Sequence, residues 1–148
     1  MIERLRLSFT VACDAAHAFQ LFTEKASLWW PYAHSVSAEP GITVTFEPGV
    51  GGRIYERTSV NTEFDWGEIV AWAPPQRLAY LWHIRLDRSQ ETEVEVAFTQ
   101  LEDGTTRVDI EHGGWDRLST DAQKRRDGNQ RGWDGLLPSY RAACATNT

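Results

Sequence analysis

The stretch EFDWGEIVAWAPPQRLAYLWHIRL, from Glu63 to Leu86, decides the fold of this chain. In its first half every second side chain shares one face, which carries Phe64, Trp66, Glu68, Val70 and Trp72. After Pro74 and Pro75 the alternation resumes, with Leu78, Tyr80, Trp82, Ile84 and Leu86 on one face. Alternation of this kind predicts strands with one buried and one solvated face, and a proline turn between two of them predicts an antiparallel hairpin. The aromatic face is either a packed core or the lining of a ligand pocket.

Composition bounds the class of protein. A length of 148 residues predicts one domain spanning residues 1–148, with a core of its own. The net charge of −6 argues against nucleic acid or an anionic membrane as a partner. The N-terminus alternates like a strand and carries no apolar signal block, and no apolar run approaches the ~20 residues that span a bilayer. Cys13 and Cys144 lack metal-ligand spacing, which predicts reduced thiols in a cytoplasmic protein.

The rest of the chain predicts a strand, a helical pair, further strands and a long helix. Residues 5–11, 42–46, 53–57, 92–98 and 106–112 alternate, and Asp14 stands where a helix N-cap belongs. The segment from Leu28 to Pro31 favours a short second helix or an apolar helix end. From about Ser119 the alternation stops, and one helix stripe follows, made of Trp133, Leu136, Leu137, Tyr140 and Cys144.

A second line of residues on this long helix consists of Gly128, Gly132 and Gly135. These glycines either let the helix backbone approach the sheet or leave room beside it. The charge run from Lys124 to Asp127 favours a solvated helix face. An aromatic sheet face must be buried against another element, and this helix is the only predicted element that is long and apolar enough to bury it. The predicted fold is therefore α+β, with a curved antiparallel sheet wrapped around a long C-terminal helix and two short helices after the first strand.

The motifs that stand along this chain resemble those of a known superfamily. They are LWWP at 28–31, GGR at 51–53, WGEI at 66–69, APP at 73–75, the single Trp82, EHGGW at 111–115 and RGWDGLL at 131–137. In this order, across nearly the whole chain, they resemble the START-like helix-grip (SRPBCC) superfamily. The branch is similar to the C-terminal domain of the activator of heat-shock-protein-90 ATPase.

The resemblance implies a cavity between the sheet and the long helix. Members of the superfamily bind lipids, hormones, polyketides or other apolar molecules there, and some are enzymes. The branch shares no catalytic motif, so the resemblance implies no catalytic residue and no cofactor. The activator protein, which acts in the stress response, also has an N-terminal domain for which this chain has no room. That difference counts against a chaperone as partner.

The aromatic candidates for ligand binding come from the faces that are expected to meet. They are Trp29, Trp30, Trp66, Tyr80, Trp82 and Trp133, joined by the helix residue Leu137. Trp29 and Trp30 are expected at the pocket mouth, because neighbouring tryptophans on one short helix end cannot both point inward. For Trp66, Trp82 and Trp133, a filled core is an equal alternative to pocket lining.

The polar candidates are Glu68, Arg53 and His112. Burial without a cation would raise the pKa of Glu68, whereas a nearby Arg53 or protonated His112 would lower it. The alternative is a bulge at Gly67, which would turn Glu68 to solvent. His112 ends an inward face, where a structural role is favoured over a catalytic one. The other histidines show no metal spacing, so no metal site is predicted.

These observations favour a protein that binds a small hydrophobic or aromatic molecule. One alternative is a cyclase- or dehydratase-type enzyme acting on a polyketide-like substrate, which needs at least two polar groups inside the cavity. Another is a co-chaperone-like interaction module, which needs a filled interior and an exposed apolar patch. A homodimer is left open.

Overall fold

The computed structural model describes residues 2–118 and 120–146. Within these residues one antiparallel sheet has the strand order β1-β7-β6-β5-β4-β3-β2. Its strands are β1 Leu5–Val11, β2 Thr43–Phe46, β3 Arg53–Arg57, β4 Glu63–Ala73, β5 Arg77–Trp82, β6 Thr92–Gln100 and β7 Thr106–Gly113. Helix α1, Ala15–Phe22, follows β1, and helix α2, Ala122–Cys144, follows β7. The predicted α+β helix-grip fold is confirmed.

Helix α1 begins where the sequence predicts. The Asp14 carboxylate accepts a hydrogen bond of 2.8 Å from the backbone N–H of His17, which caps the first turn. The second predicted short helix is instead two 3-10 turns, Ala26–Leu28 and Tyr32–His34, on either side of Pro31. Proline has no N–H to donate, so one continuous helix through this position is disfavoured.

Strand β4 departs from the predicted alternation. Ile54 pairs with Gly67 while Tyr55 pairs with Asp65, so Trp66 is an extra residue in β4. This bulge turns both Trp66 and Ile69 into the core. Glu68 and Val70, predicted to face inward, lie on the outer face, and Val70 is 44% exposed.

The bulge at Trp66 stands directly before Gly67, whose backbone lies against strand β5. A Cβ on Gly67 would meet the Leu81 carbonyl oxygen at 2.0 Å, so only glycine fits there. A second irregularity, opposite Tyr80 and Ala79, returns Trp72 to the inner face, where it packs edge-on against Phe19.

Strand β5 is shorter than predicted. It ends at Trp82 rather than at Leu86, because the chain then turns through Arg85 at a positive φ of 62°. The turn is held by hydrogen bonds of 2.7 Å from the His83 N–H to the Trp66 carbonyl and from the Leu86 N–H to the His83 carbonyl. Ile84 and Leu86 therefore lie outside the sheet, in the turn that follows β5.

Helix α2 covers the inner face of the sheet. Its buried side chains are the five predicted ones, Trp133, Leu136, Leu137, Tyr140 and Cys144. The Tyr140 hydroxyl donates to the carbonyl of Ala18 at 2.7 Å and so ties α2 to α1. Ser119, where the change of pattern is predicted, lies outside the described residues. No helix in the described part of the chain is long and apolar enough to cross a membrane.

Candidate functional site

A cavity of about 360 Å³ lies between α2, the end of β5 and the turn after β5. Four tryptophans line it, namely Trp30, Trp82, Trp115 and Trp133. The other apolar lining comes from Ile84, Leu86, Leu118 and Leu136. The two residues that left strand β5 therefore form part of the cavity, and the core is not filled at this end of the sheet.

Glycines on α2 help to keep the cavity open. Gly128 and Gly132 line it, and a Cβ on Gly132 would have no atom within 4 Å. Gly135 serves a third role, because a Cβ there would lie 2.8 Å from Cε1 of His34, which belongs to a 3-10 turn and not to the sheet. The absence of a side chain at Gly135 thus lets the His34 ring pack against the helix, whereas its absence at Gly132 leaves space.

A chain of hydrogen bonds behind the cavity connects its tryptophans. Trp133 Nε1 donates to Nδ1 of His112 at 3.1 Å, and Nε2 of His112 lies 2.7 Å from Oγ1 of Thr92. Thr92 Oγ1 in turn lies 3.3 Å from the Trp82 carbonyl, which can only accept. The directions of these bonds place the imidazole proton on Nε2. His112 therefore links Trp133 on α2 to the backbone of Trp82 on β5.

His112 is held neutral in this chain. Its side chain is fully buried, and burial, assisted by the charge of Arg4, lowers its pKa to about 3. It does not line the cavity. His112 contacts two residues of the lining, Trp133 and Thr92, and lies behind the cavity rather than in the ligand-binding position assigned to it from the sequence.

Of the aromatic candidates, Trp30, Trp82 and Trp133 line the cavity. Trp66 lies behind the first two, with ring centroids at 4.9 Å from Trp30 and 5.6 Å from Trp82. Tyr80 packs against Trp82 at 5.6 Å, and burial raises the pKa of its hydroxyl. These two side chains form a supporting layer.

The remaining two apolar candidates belong to the core. Leu137 is buried under α2 and does not line the cavity. Trp29 packs against Tyr140 with ring centroids 5.1 Å apart, and its Nε1 donates to the carbonyl of Leu21 at 2.6 Å. The two neighbouring rings lie 5.3 Å apart and both are buried, so both point inward, contrary to the expectation. Trp30 reaches the cavity, whereas Trp29 packs in the core.

Arg53 and Glu68 do not belong to this site. They are cross-strand neighbours of β3 and β4, so both side chains lie on the outer face of the sheet. Arg53 pairs with Asp65 at 2.6 Å, and Glu68 pairs with Arg88 at 2.6 Å. Both therefore lie outside the cavity that the sequence assigned them to, Glu68 because of the bulge before Gly67 and Arg53 because it alternates with the buried Ile54 on β3.

The buried carboxylate that the sequence analysis missed is Glu56 on β3. Oε1 accepts from the Val36 N–H at 2.6 Å and from Trp66 Nε1 at 2.9 Å. Oε2 accepts from the Ser37 N–H at 3.2 Å and from the Ser37 hydroxyl at 2.7 Å. Glu56 therefore holds the segment after Pro31 and Trp66 in place. The sequence did contain a signal for the burial of Glu56, because Glu56 lies two residues after Ile54 and so on the same face of β3.

The polar lining of the cavity was also missed. It consists of His34, His83, Arg85, Thr92, Arg125 and Asn129. Nδ1 of His83 lies 3.3 Å from the carbonyl of Leu86, so Nδ1 carries the proton and Nε2 is left as an acceptor. Arg125 belongs to the charge run that we interpreted as solvated, and it instead contributes to the cavity.

The two cysteines meet although they stand near opposite ends of the chain. Both are free, and they interact with each other beside Tyr140. Burial raises the pKa of Cys144 to about 12 and also raises that of Cys13, so both thiols stay protonated at neutral pH. In residues 2–118 and 120–146 no three His, Cys, Asp or Glu side chains are grouped so as to hold a metal ion.

The fold and the cavity define a class of protein. A seven-stranded antiparallel sheet that grips a long C-terminal helix, with a cavity between them, is the helix-grip architecture of START/SRPBCC proteins. Within this class, residues 12–139 match the family described as activator of Hsp90 ATPase homolog 1-like protein. The chain belongs to that family.

Solved structures give the same classification. An anthrahydroquino-γ-pyrone synthase is 32% identical, with a TM-score of 0.68, over 95% of this chain and 96% of its own. The self-sacrificing resistance protein CalC from Micromonospora echinospora is also 32% identical, with a TM-score of 0.72, over 95% of this chain and 93% of its own. Protein MLL2253 from Mesorhizobium loti, at 17% identity, a TM-score of 0.66 and 95% coverage of both chains, shares the fold. No protein with a curated description matches.

Proposed function

We propose that this protein binds a small hydrophobic, aromatic molecule in the cavity between the sheet and α2. The observation that carries the proposal is an open volume of about 360 Å³ with four tryptophans around it. Ligand pockets in proteins commonly measure ~300–1,000 Å³ and have mostly apolar walls with a few polar groups. Large aromatic side chains hold flat ligands by area burial and offset stacking.

The solved relatives support a flat aromatic ligand. One of the two proteins at 32% identity is named for an anthrahydroquino-γ-pyrone, which is a fused aromatic product. A chain of this similarity with a tryptophan-lined cavity is a candidate for binding a molecule of the same general shape. The proposal concerns the shape and polarity of the ligand, not its identity.

Filling the cavity from α2 is expected to weaken ligand binding. In a Gly132→Phe variant the new ring would occupy the open space beside Trp133, and we expect the affinity for N-phenyl-1-naphthylamine to fall about tenfold or more. Binding would be measured by quenching of tryptophan emission. A Gly132→Ala variant is the matched control: it should keep the affinity, and it should gain up to ~1 kcal/mol of stability from the helix propensity of alanine.

Two outcomes would count against the proposed function. Saturable binding that is unchanged in the folded Gly132→Phe variant would place the ligand elsewhere. Absence of any binding to the wild-type protein would favour a cavity that serves no ligand of this size. Thermal unfolding of both variants distinguishes loss of the site from loss of the fold.

A cyclase- or dehydratase-type enzyme is the second candidate, and His83 is the observation that favours it. His83 lines the cavity with Nδ1 bonded to a backbone carbonyl, so the neutral ring has Nε2 free to accept a proton from a bound substrate. The open cavity argues against the third candidate, an interaction module, for which we expected a filled interior.

Measuring proton exchange on a bound ketone would distinguish a binding protein from an enzyme. If His83 is a general base, the wild-type protein should accelerate exchange of the α-protons of 2-tetralone with D2O, followed by NMR, by about a hundredfold over a His83→Phe variant. If the protein only binds, both proteins should show the same exchange rate while each protects the ketone from solvent. Equal rates would therefore remove the enzymatic candidate.

A further inference from the structure

The permanently charged side chains that line the cavity are all positive. The chain carries 21 acidic and 15 Lys and Arg residues, so carboxylates are in excess. The charged residues that line the cavity are nevertheless Arg85 and Arg125, with His34 and His83 beside them, and no Asp or Glu of the described chain lines it. A cleft whose charged lining has one sign raises the local concentration of ligands with the opposite charge.

The two cavity arginines also differ from most other arginines of the described chain. Nine of those form ion pairs with carboxylates, namely Arg4, Arg6, Arg53, Arg57, Arg77, Arg88, Arg107, Arg117 and Arg126. Arg85 bonds instead to a backbone carbonyl, that of Ser35, at 2.5 Å from Nη2. Arg125 bonds through Nε to the carbonyl of Thr120 at 3.2 Å.

Each of these two contacts uses one of the five N–H donors of a guanidinium group. The other donors have no carboxylate partner among the described residues. Arg131 and Arg141 are also without a carboxylate partner in this part of the chain, but they do not line the cavity. Arg85 and Arg125 thus bring charge without a carboxylate partner to a space whose walls include four tryptophans.

We propose that the ligand is an aromatic anion, whose ring packs between the tryptophans while Arg85 and Arg125 bind its charged oxygen group. The proposal deepens the proposed function and rests on it. A carboxylate, a sulfonate or an ionised phenol supplies the acceptors that planar guanidinium groups bind best. A neutral ligand leaves those donors unused, and a cationic ligand is repelled, so the cavity discriminates by charge as well as by shape.

A matched pair of probes tests this selectivity. The anion 1-anilinonaphthalene-8-sulfonate and the neutral N-phenyl-1-naphthylamine share one ring skeleton and differ by the sulfonate. We expect the wild-type protein to bind the anion at least about tenfold more tightly. Arg85→Met and Arg125→Met should each reduce the affinity for the anion about tenfold and change that for the neutral probe less than about twofold.

Lys124→Met is the control for net charge. Lys124 is exposed, neighbours Arg125 in sequence and does not line the cavity, so both affinities should stay within about twofold of wild type. An Arg85→Lys variant, which keeps the charge and can still donate to Ser35, covers the case in which Arg85→Met fails to fold. It should retain most of the preference for the anion.

The possible outcomes distinguish a wrong charge for the ligand from the absence of an aromatic binding site. If the neutral probe binds and the anion binds no better, or if the arginine variants leave the ratio unchanged, the anionic ligand is excluded while the aromatic site stands. If Lys124→Met lowers the ratio as much as Arg125→Met does, the preference comes from overall charge and the inference fails. If neither probe binds the wild-type protein, the proposed function falls as well.

Discussion

Replacing Glu56 with alanine is expected to lower the free energy of unfolding by about 3–5 kcal/mol. Glu56 is fully buried and accepts from three N–H donors, those of Val36, Ser37 and the Trp66 indole, and from the Ser37 hydroxyl. Truncation leaves these donors buried without an acceptor, and each unsatisfied donor costs about 1–3 kcal/mol. Urea unfolding at pH 7 would measure the loss.

Glutamine substitutions at two positions give a matched comparison. In Glu56→Gln the amide NH2 would face N–H donors, so we expect a loss of about 2 kcal/mol. Glu68→Gln makes the same chemical change on the outer face, where the pair with Arg88 is solvated, and should change stability by less than about 0.5 kcal/mol. Equal losses in the two variants would contradict the assignment of Glu56, rather than Glu68, as the buried carboxylate.

The parts of the fold that were predicted correctly depend on local pattern alone. The inward residues of β6 and β7, from Thr92 and Thr106 onward, alternate without interruption in the structure as in the sequence. The buried stripe of α2 follows helical spacing in the same way. Where a periodic face meets one partner, the period identifies the buried side chains.

The errors concern two residues on strands β3 and β4. Glu68 faces outward because Trp66 is an extra residue in β4, which agrees with the alternative of a bulge at Gly67. The contact of Gly67 with the Leu81 carbonyl cannot be read from the sequence. One extra residue, Trp66, is enough to invert the parity of the next residues in the strand. Arg53 was a separate ligand-binding candidate, and it faces outward because Ile54 and Glu56 occupy the inner face of β3.

The residues of the candidate site also fall into those that the sequence predicted and those that it did not. Trp82 and Trp133 could be predicted because they lie on periodic faces, whereas Trp115, which also lines the cavity, follows the glycine break after β7 and was not among the candidates. The cations of the site could not be predicted, because Arg85 belongs to a non-periodic turn with positive φ and Arg125 to a charge run typical of a solvated helix. The features that give the cavity its charge selectivity are thus the ones that carry no periodic signal.

His112 is expected to make the protein sensitive to mild acid. Its folded pKa of about 3 lies below the ordinary value of about 6.5, so the fold favours the neutral ring and protonation favours the unfolded chain. The contribution of His112 is complete above pH ~6.5 and is lost as the pH falls from there towards 3. Between pH 7.5 and pH 5 we expect a loss of about 2 kcal/mol, measured by urea unfolding at the two values.

A His112→Gln variant isolates this effect from the titration of carboxylates, which both proteins share. Its free energy of unfolding should be lower than wild type at pH 7.5, because glutamine reproduces the bonds to Trp133 and Thr92 imperfectly, yet it should fall about 2 kcal/mol less on going to pH 5. Parallel pH profiles for wild type and His112→Gln would mean that the folded protein accommodates the imidazolium. Trp133 Nε1 would then lose its acceptor without loss of the fold, and the hydrogen-bond chain behind the cavity would not be what positions its walls.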